Sequence, residues 1–133
     1  LNKNEINFNF FEINIDGDKR IGFKIKNNLI SKLQEDKNNG VVIKILTQQN
    51  KSIKEKNIKN EITKYSIDLI TEGEFSFANQ NKTFKFSSNV TGFYLVATNY
   101  STTLSNEKSL IDNLIEELSK KLINEINFTL NDN

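Results

Sequence analysis

The sequence predicts an α+β fold, an α/β two-layer sandwich in the order β-α-β-β-β-α. A four-stranded mixed sheet would carry two helices packed on one face. Three observations lead there. Tyr65, Ile67, Leu69, Thr71, Gly73, Phe75 and Phe77 share one parity, so in a strand they share one face. Phe84, Phe86, Val90 and Tyr94 repeat the pattern in the next segment. Ile111, Leu114, Ile115, Leu118, Leu122 and Ile126 then fall at helical spacing. A strand pair that is apolar on one face needs a cover, and this helix can supply it.

The first strand is expected over Glu5 to Ile15. Its apolar residues run Ile6, Phe8, Phe10, then Phe11, Ile13, Ile15, so the phase flips at Phe10-Phe11. Such a flip marks a β-bulge, or a strand buried on both faces. Asp16-Gly17-Asp18 breaks the strand, and Asp18 suits the N-cap of the next element. Ile21, Ile25, Leu29, Ile30 and Leu33 line one helical face, giving a helix near Lys19 to Asp36. Asn38-Asn39-Gly40 reads as its stop, with Asn39 or Gly40 in the left-handed conformation. Val41 to Leu46 reads as a short second strand. Strand, helix and strand in succession make a crossover unit, so the first two strands should be parallel.

Thr47 to Asn60 is polar and rich in Lys, and reads as a mobile loop. The third strand is expected near Glu61 to Phe77, and Asn79-Gln80-Asn81-Lys82 as a hairpin turn. The fourth follows from Thr83 to Ala97. Gly73 and Gly92 inside these strands suggest bulges or tight twist. Ser105 or Thr103 would cap the last helix, which reaches about Asn127, and the tail Phe128 to Asn133 should fray. With 133 residues and no internal repeat, residues 1–133 are expected to form a single domain.

Composition excludes more than it assigns. Eighteen Lys and Arg against seventeen Asp and Glu give a net charge of +1, too balanced for a nucleic-acid binder. The chain holds no His and no Cys, so the commonest general base, the usual transition-metal ligands and the thiol nucleophile are missing. An enzyme is not expected, and neither is a cofactor or a metal. Ten Phe fill the role of Met, Cys and Trp in the core, with an apolar pocket for acyl chains as the functional alternative. No apolar run approaches the roughly 20 residues of a membrane helix. The chain begins at Leu1 and lacks Met, which raises the expectation of a longer product with a leader or anchor upstream. Absent Pro and abundant Asn, Lys and Ile read as codon bias, because the apolar periodicity is too regular for a disordered chain.

Among candidate functional groups, Glu116 and Glu117 read as solvated neighbours on a helix, not as an acid/base pair converging on a cleft. Glu72 and Glu74 read as solvent-facing charges opposite the core. Asp16-Gly17-Asp18 lacks the remaining ligands of a calcium loop, so a turn and a cap are the reading. Lys24, Lys26 and Lys32 belong to the polar face of the first helix. The strongest candidates for ligand contact are Lys51, Lys54, Lys56, Lys59 and Lys64, gathered in one segment entering the third strand. Ammonium groups suit phosphate as point charges. The plain alternative is a solvated Lys-rich loop, partly neutralised by Glu55 and Glu61.

The order of elements, together with Arg20 to Leu33, Ile62-Thr63-Lys64-Tyr65-Ser66-Ile67-Asp68-Leu69 and Phe93 to Ile126, resembles the LPS-assembly lipoprotein LptE family. Arg20 to Leu33 resembles the family's first helix after a basic residue. Ile62 to Leu69 resembles its third strand with an aromatic near the start, and Phe93 to Ile126 its fourth strand running into the long terminal helix. The likeness spans most of Asp16 to Ile126 and rests on a pattern of elements, with no single specific motif. The lipobox cysteine of the family is not in this chain.

The resemblance implies a lipid-anchored protein on the periplasmic side of the outer membrane, membrane-attached through an N-terminal lipid absent from this sequence. It implies a plug within an LptD-type β-barrel partner that helps assemble the barrel and pass lipopolysaccharide outward. It further implies lipopolysaccharide contact by basic residues before the third strand, where Lys56 and Lys59 stand nearest, and ahead of the last helix, where Thr102 and Thr103 stand and Lys108 is the nearest base. The expected function is therefore a non-enzymatic outer-membrane assembly subunit. The rival reading is the auxiliary lipoprotein of an ABC-type lipid transport system, whose partner would be an inner-membrane complex. An enzyme is a third reading, and it would need a converging set of carboxylates, Lys, Tyr or Ser.

Overall fold

The computed structural model describes residue 6, residues 8–77 and residues 81–132. It contains β1 (Phe10–Gly17), α1 (Lys19–Lys32), β2 (Val41–Lys56), β3 (Ile62–Phe77), β4 (Thr83–Leu95) and α2 (Tyr100–Asp132). The sheet order is β1-β2-β3-β4, with β1 and β2 parallel and the other pairs antiparallel. This is the expected four-stranded mixed sheet with two helices.

The core forms where the strand parity said it would. Ile43 and Ile45 on β2, Ile67, Leu69 and Phe75 on β3, and Val90 and Tyr94 on β4 are buried under the helices. From the helices come Ile21, Ile25 and Leu29 of α1, with Leu114, Ile115, Leu118, Leu122 and Ile126 of α2. Each such side chain contributes about 1.5–3 kcal/mol by leaving water. Among the described residues no element covers the opposite face of the sheet, which is mostly polar. Along β3 it presents Ser66, Asp68, Glu72 and Glu74, with Ile70 among them.

The phase flip at Phe10-Phe11 is a register shift between Phe10 and Glu12, so Phe10 and Ile13 are both buried. Gly17 closes β1 at φ +79°, and a Cβ there would lie 2.3 Å from the Thr47 carbonyl oxygen, so no other residue fits. Asp18 then caps α1, its carboxylate accepting from the Ile21 N–H at 3.1 Å. The Asp18 N–H donates to the Thr47 carbonyl at 2.8 Å, tying the start of the crossover to β2.

Several expectations are corrected. Helix α1 stops at Lys32, with Leu33 extended, and does not reach Asp36. Neither Asn39 nor Gly40 is left-handed, since Asn60 and Gly17 are the positive-φ residues among those described. The Asp36 carboxylate holds the turn instead, accepting from the Asn38 N–H at 2.9 Å and the Asn39 N–H at 3.2 Å. Gly73 and Gly92 sit in unbroken register. They are sites of close approach: the Phe86 ring covers Gly73 and Leu110 covers Gly92. The start of α2 is held by Asn99, not by Ser105 or Thr103; its side-chain oxygen accepts from the Ser101 N–H at 2.8 Å. Thr103 Oγ1 reaches back to accept from the Ala97 N–H at 2.8 Å. The expected frayed tail is helical as far as Asp132. Of the expected hairpin turn, Asn79 and Gln80 lie outside the described residues, as do Glu5 and Asn7 of the expected first strand.

The largest correction concerns Thr47 to Asn60. No loop begins at Thr47: β2 continues to Lys56 and pairs with β3 along its whole length. From Asn50 to Lys56 both faces of the strand are exposed. Without burial there is no hydrophobic alternation to read, and the pairing rests on backbone hydrogen bonds and cross-strand contacts.

Candidate functional site

The far end of the β2–β3 hairpin is where the Lys-rich segment lies. Its tip is a built turn. The Asn57 side-chain oxygen accepts from the Lys59 N–H at 2.9 Å and the Glu61 N–H at 3.0 Å. The Asn57 N–H donates to the Glu61 carbonyl at 2.9 Å, and Asn60 is left-handed at φ 65°. Asn and Asp suit such turns because their short side chains mimic a backbone acceptor. Just below the tip the ladder slips, with Lys54 extra on β2 and Thr63 extra on β3. A bulge of this kind bends the strand and re-aims its side chains.

The five lysines do not converge as one cluster. Lys51 lies on the helix side, where its ammonium donates to Glu107 Oε2 of α2 at 2.8 Å. It also sits 4.5 Å from the Tyr65 ring centre and 5.6 Å from that of Tyr94. The Tyr94 hydroxyl donates to the same carboxylate oxygen. Glu107 is therefore held below the usual carboxylate range, by Lys51 first and by Tyr94 second. The same bonds, to Glu107 and then Tyr94, push the Lys51 ammonium upward. Burial, and then the Glu107 hydrogen bond, raise the Tyr94 phenol. This group brackets α2 to the sheet, so Lys51 already has its anion.

Lys54 and Lys64 lie on the opposite side, their ammonium groups 5.1 Å and 5.2 Å from the Phe93 ring centre. Lys64 pairs with Glu55 at 3.3 Å. Glu55 is held low by the Thr63 hydroxyl first and then by Lys64. Lys56 ends β2 and Lys59 sits in the turn. Among the described residues Lys54, Lys56 and Lys59 pair with no carboxylate. Of the five lysines, Lys51 and Lys64 are paired with glutamates, Lys54 lies over the Phe93 ring, and Lys56 and Lys59 stand at the hairpin end. Tyr65, Tyr94, Phe93 and Glu107, which engage the other lysines, drew no notice as ligands in the sequence. Glu107 lies 56 positions from Lys51, and nothing local links them.

The remaining candidates are structural. Glu116 accepts from Asn28 at 2.8 Å and from Lys32 at 2.6 Å, joining α1 to α2, while Glu117 pairs with Lys121 on its own helix. Lys24 reaches Asp112 of α2 at 3.7 Å, and Glu74 pairs with Lys44 across the open sheet face at 3.7 Å. A groove of about 780 Å³ crosses that face, lined in part by Asn14, Asp16, Lys44, Glu72 and Lys85. Among the described residues no three or more His, Cys, Asp or Glu gather to hold a metal ion. No helix among them is long and apolar enough to cross a membrane.

No protein-family model matches the chain, and no curated protein does. Solved structures do. The chain is similar to the rare lipoprotein B from Shewanella oneidensis, with a TM-score of 0.67 and 9% identity over 91% of this chain and 97% of that one. A putative lipoprotein from Caulobacter crescentus matches with a TM-score of 0.64 and 13% identity, over 90% of each chain. The uncharacterized lipoprotein B from Nitrosomonas europaea matches with a TM-score of 0.56 and 9% identity, over 92% of this chain and 84% of that one. The chain shares the fold of these proteins. At such identities the shared feature is the arrangement of strands and helices.

Proposed function

We propose that this chain is a non-enzymatic outer-membrane assembly lipoprotein of the LptE kind. It partners an LptD-type β-barrel and contacts lipopolysaccharide phosphates through its basic hairpin. The observation that carries the reading is the fold it shares, over nine-tenths of its length, with three proteins described as lipoproteins. The sequence resemblance points the same way. The uncovered sheet face and the polar exterior suit a wet, polar barrel lumen. Among the described residues Lys54, Lys56 and Lys59 form no salt bridge, and they lie at one end, which suits phosphate. Lys51 and Lys64 are engaged with Glu107 and Glu55, and serve to hold that end together.

The test is affinity capture of the native protein from detergent-solubilised membranes, with the partner identified by mass spectrometry. A stoichiometric outer-membrane β-barrel is the expected result. An inner-membrane ATPase and permease would overturn the assembly reading in favour of a transporter auxiliary. Charge reversal at Lys54, Lys56 and Lys59 should weaken lipopolysaccharide binding; unchanged binding would remove the ligand part.

A further inference from the structure

One residue at the basic end has no role in the fold. Ile58 stands at the tip of the hairpin, in the turn held by Asn57, and its side chain is fully exposed. The turn's hydrogen bonds hold this β-branched apolar side chain outward, in water. Ile53 near the end of β2, and Phe93 and Leu95 at the end of β4, are each about half exposed, Ile53 on the helix side of the sheet and the other two on its opposite face. Around Ile58 stand Lys54, Lys56 and Lys59. Residues 51–64 hold five lysines and two glutamates, a net +3, so the rest of the chain carries −2. The charge of the molecule is thus polarised towards the end that exposes Ile58.

Apolar tip, flanking ammonium groups on flexible stems and net positive charge are together complementary to an anionic lipid surface. The tip residue enters the acyl boundary while lysines meet the phosphates, their stems lying along apolar surface. The Lys54 and Lys64 ammonium groups lie over the Phe93 ring, 5.1 Å and 5.2 Å from its centre. We infer that the β2–β3 hairpin tip is a docking element for an anionic lipid bilayer, with Ile58 as its inserting residue and Lys54, Lys56 and Lys59 as its phosphate contacts. The inference rests on the reading that these lysines meet lipid phosphate, and adds an insertion step that phosphate contact does not need. A tip of this size gives weak, reversible attachment, so it acts as a second contact beside another attachment or partner.

The test is co-sedimentation of the chain with vesicles of phosphatidylcholine and phosphatidylglycerol in equal parts, against phosphatidylcholine alone. Binding should require the anionic lipid and fall with added salt. Ile58→Ser should lower partitioning by about tenfold or more. Lys54→Gln, Lys56→Gln and Lys59→Gln together should lower it by about a hundredfold, about fivefold for each lysine. All four positions are exposed, and a circular-dichroism melt like that of the unchanged chain would show that the fold is intact. Equal binding to both vesicles, or an Ile58→Ser chain that partitions as the unchanged one does, overturns the inference. The two readings part cleanly. Ile58→Ser that loses vesicle binding but retains lipopolysaccharide capture in detergent supports insertion as a separate property. Vesicle binding with this pattern, in a protein that captures no barrel, keeps the docking element and removes the assembly role.

Discussion

Glu107→Gln asks whether the bracket between α2 and the sheet is held by charge. Glutamine keeps the length and one acceptor oxygen, and removes the negative charge facing Lys51 at 2.8 Å. A hydrogen bond to a charged group contributes about 1.5–3 kcal/mol net in a shielded site. A solvent-exposed pair contributes about 0.2–1 kcal/mol. With side-chain exposures of 44% for Lys51 and 25% for Glu107 the pair falls between the two, so solvent screening brings the expected loss to about 1 kcal/mol. For a domain of this size that is a fall in Tm of about 3–5 °C.

The pH dependence supplies the sharper signature. Glu107 is held below its ordinary value of 4.5, by Lys51 before Tyr94. A depressed acid stabilises the fold above its unfolded pKa, and that contribution is lost as pH falls through the lower folded value. Lys51 is raised above 10.5, so its contribution is complete below that value and is lost only in strong alkali. The stability gap between the unchanged chain and Glu107→Gln should therefore be full near neutral pH and narrow as pH falls below 4.5. Urea unfolding followed by circular dichroism, repeated down the pH scale, reads it directly. A gap that stays constant into acid would mean that the substitution acts through packing. No gap at neutral pH would mean that the bracket contributes nothing.

Two further outcomes follow from the core. Phe75, 1% exposed and stacked on Phe84 with ring centres 5.5 Å apart, should lose about 3–5 kcal/mol on Phe75→Ala; a thermal-melt loss below about 1 kcal/mol would contradict its place at the centre of the aromatic cluster. Thr71 is 2% exposed and its hydroxyl finds no partner among the described residues, so Thr71→Val should be neutral or stabilise by up to about 1 kcal/mol. A clear loss in a urea titration would reveal a hydrogen bond to that hydroxyl.

What the sequence made legible was whatever left a periodic trace of burial. The parity of Tyr65 to Phe77 and the helical spacing of Leu114 to Ile126 located two strands and a helix, because one face of each is apolar. The doubled Phe10-Phe11 gave away the bulge of β1 for the same reason. The outer half of β2 left no trace, since Asn50 to Lys56 bury nothing on either face. The helix stop at Leu33 was hidden because no glycine marks it: Leu33 turns extended with its N–H still on the Leu29 carbonyl, and the Asp36 carboxylate organises only the turn that follows. At the candidate site, the lysines were found by their density along the chain. Their sorting was not legible, because it depends on Glu107, Phe93 and the bulge at Lys54, which pairing brings together across the fold.

The ladder slip below the hairpin tip also bears on how such a fold diverges. Everything beyond it lies outside the core, so residues 54–61 can gain or lose a position without disturbing a buried side chain. Lengthening an exposed hairpin costs little, since loop-closure entropy grows only slowly with length. Because strand faces alternate at every residue, one added or deleted position there would exchange which lysines face which side of the sheet. The tip is thus a place where charge and shape can be rewritten in a single mutational event while the scaffold persists. Proteins sharing this fold at 9–13% identity can differ most there at least cost to folding.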